Sequence, residues 1–266
     1  NINEIPVIYT ISGECDVIVL LHGFLESLHI WDYFSTQLSK KYKVIAIDLP
    51  GHGKTGIFNE EHSMSFMAFI VHEILKYENI EKCFMVGHSM GGSVSMAFAE
   101  KYIHHLTGLC MFHSNADEDS PERKEYRDKT IKLVEENRIG FISSFIDNLF
   151  YKETVQKYYD KIQTLKNISQ QTSKEGIIAA IKGMKNRKSH LDLLKELNIP
   201  IYFIIGKEDS RININDIMHQ ILLPKISEAL ILDKVGHMGY IEAETITINA
   251  IDNFAKFSYN LNNQTT

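Results

Sequence analysis

Six short apolar runs punctuate the sequence: Val17–Leu21, Val44–Ile47, Phe84–Val86, Leu109–Phe112, Ile201–Ile205 and Ala229–Leu232. Most are continuous rather than alternating. A strand with one face in water alternates in polarity, whereas a strand buried on both faces does not. The runs therefore read as parallel strands covered on both sides by helices, with Val7–Ile11 as an additional edge strand. Helical patterns fill the gaps. Met64, Met67, Ile70, Val71, Ile74 and Leu75 recur at helical spacing behind Ser63 as N-cap. Ser93–Tyr102 and Ala243–Phe257 read as further helices, the second with Ile246, Ala250, Ile251 and Phe254 on one stripe. Repeated βα units imply an α/β fold with a doubly wound, mostly parallel sheet. Ligand sites of such sheets lie beyond the carboxyl ends of the strands.

One stretch breaks the rhythm. Between Ser114 and Leu197 no strand pattern is evident, charge is dense and helical spacing dominates. A structureless loop of that length does not suit a compact domain. The chain therefore divides into a core of residues 1–113 and 198–266 and a helical insertion of residues 114–197. Within the insertion Phe141, Ile142, Phe145, Ile146, Leu149 and Phe150 form a wide apolar stripe. Packing on the core and roofing a pocket are both open readings of it. The tail Asn260–Thr266 is low in complexity.

Composition excludes several classes. With 28 Lys+Arg against 34 Asp+Glu the chain carries −6, which is no basic footprint for nucleic acid. Uninterrupted apolar stretches fall short of the ~18 residues of a membrane span. Cys15, Cys83 and Cys110 are too few and too scattered for a disulfide framework or a CxxC metal pair. No basic segment precedes an apolar core at the N-terminus, so no signal peptide is read there and a cytoplasmic location is expected. The chain begins without Met, as a processed or incomplete chain does. No HExxH, Cys/His cluster or G-x-G-x-x-G occurs, so neither a metal nor a dinucleotide cofactor is expected.

The chemistry lies at the strand ends. Phe84–Val86 runs into Gly87-His88-Ser89-Met90-Gly91-Gly92, a G-x-S-x-G pattern. By chance alone it would occur in roughly one chain of this length in ten. A strand entering and a helix leaving make it a nucleophile elbow, whose glycines keep neighbouring backbone clear of a strained serine. A serine hydroxyl needs a base. His237 lies in Val235-Gly236-His237-Met238-Gly239, just past the last strand, and is the candidate. A base needs an acid to fix its tautomer. Asp209, in Gly206-Lys207-Glu208-Asp209-Ser210 after the penultimate strand, fits that place, with Glu208, Asp117 and Asp119 as alternatives. Backbone N–H groups of Met90 and of Phe24, in His22-Gly23-Phe24-Leu25, are candidates for an oxyanion hole. His22, His52 and His113 sit at strand ends and His88 adjoins Ser89. His22, His88 and His113, with Phe141, Phe145 and Met238, are the candidates for lining a substrate pocket.

The segments LLHGFLES (Leu20–Ser27), DLPGHG (Asp48–Gly53), VGHSMGG (Val86–Gly92), GKEDS (Gly206–Ser210) and VGHMGYIE (Val235–Glu242) resemble the α/β-hydrolase superfamily. The resemblance implies an eight-stranded sheet, with the first strands truncated or missing here, and a helical cap after the sixth strand, which 114–197 would fill. It implies the triad order Ser89, Asp209, His237. Serine at the elbow sets the chain apart from dehalogenases and epoxide hydrolases, which hold aspartate there. Small carboxylesterases, enol-lactonases and cofactor-free haloperoxidases are the more similar members. The expected partners are a small ester-like molecule and water, with carbon–carbon bond hydrolase, thioesterase and non-catalytic receptor as alternatives. Oligomeric state is left open.

Overall fold

The apolar runs and the edge segment become seven strands of one sheet. The structure, a computed structural model, describes residues 1–2 and 4–265. Asn3 and Thr266, at the two ends read above, lie outside the described residues. The strands are β1 (Tyr9–Ser12), β2 (Val17–Leu21), β3 (Lys43–Ile47), β4 (Cys83–His88), β5 (Leu106–Phe112), β6 (Ile201–Gly206) and β7 (Ser227–Leu232). Their order is β1-β3-β2-β4-β5-β6-β7. Only β1 runs antiparallel, pairing Tyr9 with Ile47 and Ser12 with Val44. The other pairings are parallel, Ile18 opposite Phe84 and Leu109 opposite Ile201 among them.

The helices are α1 (Asp32–Leu38), α2 (Met64–Tyr77), α3 (Met90–Tyr102), α4 (Pro121–Asp147), α5 (Tyr159–Gln170), α6 (Lys174–Lys185), α7 (Leu191–Glu196), α8 (Ile214–Ile221), α9 (Gly239–Glu242) and α10 (Glu244–Thr265). α10 packs on β4 and β5 from one side and α3 from the other. Every residue of β2, β4, β5 and β6 is buried as a result. That two-sided cover is why those segments read as unbroken apolar runs. In α2 the Ser63 hydroxyl accepts from the Phe66 N–H at 3.1 Å, and Met64, Met67, Ile70, Val71, Ile74 and Leu75 all face the core.

Two helix readings need correction. α3 starts at Met90, not Ser93, because the poor helix formers Gly91 and Gly92 are held in helix by close packing on β2 and Ser114. In α10 Ile246 is 55% exposed, so the buried stripe holds Ile251 and Phe254 without it. Between β5 and β6 lie α4 to α7. Counted among the described residues the stretch follows the fifth strand, since seven strands stand there where the resemblance implies eight. α4 begins with Ser120 capping the Arg123 N–H, ahead of Pro121. It breaks at Asn137 (φ −151°, ψ 74°), whose Oδ1 accepts the Gly140 N–H at 3.0 Å and so starts a second helical arm. Among the described residues no helix is long and apolar enough to cross a membrane.

Candidate active site

Ser89 occupies the single residue between the end of β4 and the start of α3, with φ 50° and ψ −114°. An L-residue in such a conformation stores on the order of 1–3 kcal/mol and persists only where its surroundings fix it. Its N–H donates to the Phe112 carbonyl at 2.9 Å, and its own carbonyl accepts from the Gly92 N–H at 3.0 Å and the Ser114 hydroxyl at 2.7 Å. The turn closes so tightly that a Cβ on Gly87 would sit 2.4 Å from the Gly91 carbonyl oxygen, and one on Gly91 2.5 Å from that of Leu21. Only glycine fits either place.

His237 follows β7, and its Nε2 lies 2.9 Å from Ser89 Oγ. Nδ1 of the same ring donates to Asp209 Oδ2 at 2.8 Å. Asp209 follows β6, and its Oδ1 accepts the backbone N–H groups of Arg211 at 2.8 Å and Ile212 at 3.0 Å. Burial alone would raise the Asp209 pKa. The charge of His237 and the hydrogen bonds from His113 and His237 outweigh it and hold the carboxyl far below its ordinary range. The alternatives do different things. Glu208 is exposed, with its N–H on the Val235 carbonyl. Asp117 accepts the Glu118 N–H, and Asp119 pairs with Arg127 and Arg187.

The loop carrying His237 is held by the chain between α4 and α5. The His237 N–H donates to the Leu149 carbonyl at 2.7 Å, and Glu242 takes the N–H groups of Gly236 and Tyr151 at 2.9 Å each. Ser210, beside Asp209, donates its hydroxyl to the Asn148 carbonyl at 2.6 Å.

A cavity of about 90 Å³ opens onto Ser89, Met90 and His237. Of the six pocket candidates Phe141 and Phe145 line it, together with Phe24, Arg123, Arg127, Arg187 and Arg211. Phe145 meets the Phe24 ring edge-on at 5.5 Å between centroids. Ile142 and Ile146 of the same stripe are fully buried and only pack. Gly23 sits so close to the serine that an added Cβ would approach Ser89 Cβ to 3.1 Å. Met90 opens α3, so its N–H has no acceptor inside the helix.

His22, His88, His113 and Met238 do not line the cavity, contrary to expectation. All are fully buried behind it. His22 donates Nδ1–H to the Gly23 carbonyl and accepts the Leu49 N–H, tying two strand-end loops together. Met238 heads α9, its carbonyl accepting from Ile241 and Glu242. His113 donates Nδ1–H to Asp209 Oδ2 at 3.0 Å. Desolvation lowers its pKa to about 4, so the ring is neutral. His52 is likewise buried and neutral, at about 3. His113, Asp209 and His237 lie close enough to hold a metal ion. Both imidazoles, however, direct Nδ1–H at the carboxylate, which is a hydrogen-bonding arrangement rather than a chelating one.

Sequence reasoning missed Glu26. This fully buried carboxylate accepts the Gly23 N–H, the His88 Nδ1–H at 3.0 Å and the Tyr240 hydroxyl at 3.1 Å. Its position three residues past Gly23, in a turn, was the available signal.

Residues 16–244 match the family model described as alpha/beta hydrolase fold. An esterase from Thermogutta terrifontis, solved with malate bound, superposes with a TM-score of 0.91 at 26% identity, covering 96% of this chain and 94% of that one. The enol-lactonase of Burkholderia xenovorans LB400 superposes at 0.88 with 19% identity over 95% and 97% of the two chains, a likeness of fold. The chain is 24% identical over 248 residues to a putative 2-succinyl-6-hydroxy-2,4-cyclohexadiene-1-carboxylate synthase of Bacillus subtilis, covering 88% of this chain and 89% of that protein. Two further relatives match over only part of their own length. An uncharacterized Mycobacterium tuberculosis protein shares 33% identity over 94 residues, 35% of this chain and 28% of its own length. The chain spans 62% of the acetyltransferase component of a Pseudomonas putida acetoin cleaving system, at 27% identity.

Proposed function

The chain belongs to the α/β-hydrolase fold family, and from that premise we propose that it is a serine hydrolase acting on a small or medium carboxylic ester or lactone, with residues 114–197 as its cap. One observation carries the reading. A strained serine at a strand-to-helix turn lies 2.9 Å from an imidazole nitrogen, and the ring's other nitrogen lies 2.8 Å from a buried carboxylate. The likeness to an esterase at 26% identity supports the same chemistry.

In this reading Ser89 Oγ attacks the carbonyl carbon while its proton passes to His237 Nε2. The carbonyl oxygen becomes an oxyanion, held by the N–H groups of Phe24 and Met90 and favoured by the N-terminus of α3. Collapse breaks the bond to the leaving alcohol, which takes the proton from His237. Water then gives a proton back to His237 and adds to the acyl carbon. Breakdown of that adduct releases the acid and restores Ser89 with its proton. Asp209 stays ionised throughout and stabilises the imidazolium. No cofactor or metal takes part in this scheme, and a cytoplasmic setting goes with it.

A fluorophosphonate probe should label one serine, and peptide mapping should place it at Ser89. Labelling at another serine, or full aryl-esterase activity in Ser89→Ala, would refute the reading.

A further inference from the structure

Four arginines, Arg123, Arg127, Arg187 and Arg211, line the cavity that reaches Ser89, and among the described residues no Asp or Glu lines it. This is a chain of net charge −6, so the cluster runs against the overall balance. Its nearest counter-charge is the fully buried carboxylate of Asp119, which does not line the cavity. Asp119 lies 2.5 Å from Arg127 and 2.7 Å from Arg187, with Arg123 at 4.0 Å. Asp119 thus faces three guanidinium groups, and Asp117 adds only a weaker attraction on Arg187. The crowding registers on Arg187, whose pKa falls to about 10 through burial and repulsion from Arg127 and Arg123.

Arg211 has no carboxylate partner among the described residues, and its Nε is buried with no hydrogen-bond acceptor. Its guanidinium lies over the Phe145 ring at 4.3 Å, and Phe145 in turn abuts Phe24 beside the serine. Its backbone is fixed by Asp209, and its carbonyl receives Arg123 Nη2 at 2.5 Å. A planar donor fork is therefore held at the wall of the cavity, stacked, partly desolvated and without an acceptor. Such a fork matches a carboxylate.

We propose that the substrate carries a carboxylate a few atoms from the bond that is cleaved, and that Arg211, backed by Arg123, binds it. The proposal rests on the serine-hydrolase reading and names its substrate class: half-esters of dicarboxylic acids or carboxylated lactones. The small cavity and its aromatic wall suit a short chain between the two carbonyl carbons. The overall negative charge repels such anions in general, so the arginine cluster is what admits them.

The test compares two aryl esters of equal length, mono-4-nitrophenyl glutarate and 4-nitrophenyl valerate. The wild-type chain should favour the glutarate ester in kcat/KM by about tenfold or more, the worth of one charge-assisted hydrogen bond. Arg211→Gln should bring the ratio close to one, Arg211→Lys should restore part of it, and rising salt should shrink it. Lys225→Gln, a change at an exposed residue that does not line the cavity, should keep the wild-type ratio. Separately, calorimetry on Ser89→Ala should detect glutarate binding that weakens about tenfold or more when Arg211→Gln is added. Turnover of the valerate ester with no preference for glutarate, or a preference unchanged in Arg211→Gln, overturns the proposal and leaves the esterase reading standing. If neither ester is turned over and the fluorophosphonate probe misses Ser89, the esterase reading fails. The calorimetry then decides the anion site alone: absence of glutarate binding overturns it and Arg211-dependent binding upholds it.

Discussion

His88 donates through both ring nitrogens, Nδ1 to Glu26 Oε2 and Nε2 to the His237 carbonyl, each at 3.0 Å. A ring with two donated protons is an imidazolium, so Glu26 and His88 form a buried ion pair. Burial opposes both charges, but each partner's charge and their hydrogen bond prevail, lowering the pKa of Glu26 and raising that of His88. The pair connects the loop carrying Phe24 to the loop carrying His237. Glu26→Gln should leave the cation uncompensated and destabilise the fold by about 3 kcal/mol, as breaking a buried pair does. Urea unfolding reads that loss. Because the Gly23 loop also loosens, kcat on aryl esters should fall more than KM changes.

Asp209→Asn should lower kcat by on the order of 10⁴, as neutralising a triad acid does. The same change at Asp117 should leave kcat near wild type. Stopped-flow or steady-state assays on the two variants decide the assignment, and the reverse ranking would move the acid role to Asp117.

Phe145→Ala removes one aromatic wall of the cavity between Phe24 and Phe141. On neutral aryl esters the wild-type optimum should lie at short acyl chains, about two to six carbons for a pocket this small. In the variant it should move to longer ones. Phe145 is only partly buried, so the stability loss should stay below the roughly 3–5 kcal/mol of a fully buried Phe. A large fall in melting temperature with an unmoved chain-length profile would show that Phe145 is packing alone.

Acid should destabilise the fold well above the range where carboxylates titrate. Burial lowers the pKa of His52 to about 3 and of His113 to about 4, and lowers those of His22 and His62. Unfolded, each titrates near ~6.5. Between those values the unfolded chain holds protons that the folded chain does not, so stability falls as pH drops from about 6.5 to 4. For His113 the gap amounts to on the order of 3 kcal/mol. His88 acts oppositely, since its raised pKa favours the fold at low pH and that contribution is lost as pH rises through it. The lowered group is the larger, so the melting temperature should be lower at pH 4.5 than at pH 7. His52→Asn should flatten the slope.

The sheet was legible because burial on both faces leaves an unbroken apolar signature, and Ser89, Asp209 and His237 were legible because each sits at a strand end. The buried histidines were harder. Strand-end position places His22, His88 and His113 near the centre, but whether a ring faces the cavity or stands behind it depends on partners such as Glu26, 62 residues away from His88. The arginines were hidden for another reason. In a segment with nearly balanced charges nothing local shows that Arg123, Arg127 and Arg187 turn inward around Asp119, nor that Arg211 joins them from the other side of β6. The break at Asn137 was equally silent, since asparagine suits both a helix surface and a cap.

The Leu149 carbonyl that receives the His237 N–H, and the Asn148 carbonyl that receives the Ser210 hydroxyl, make the helical stretch a structural parent of the loops it covers. Such a chain is not modular. Exchanging residues 114–197 for a shorter linker would not uncover a working core, because the imidazole and carboxylate loops would lose their anchors together. Substitution along the cavity wall, where Phe145 and Arg211 stand, leaves those two anchors in place.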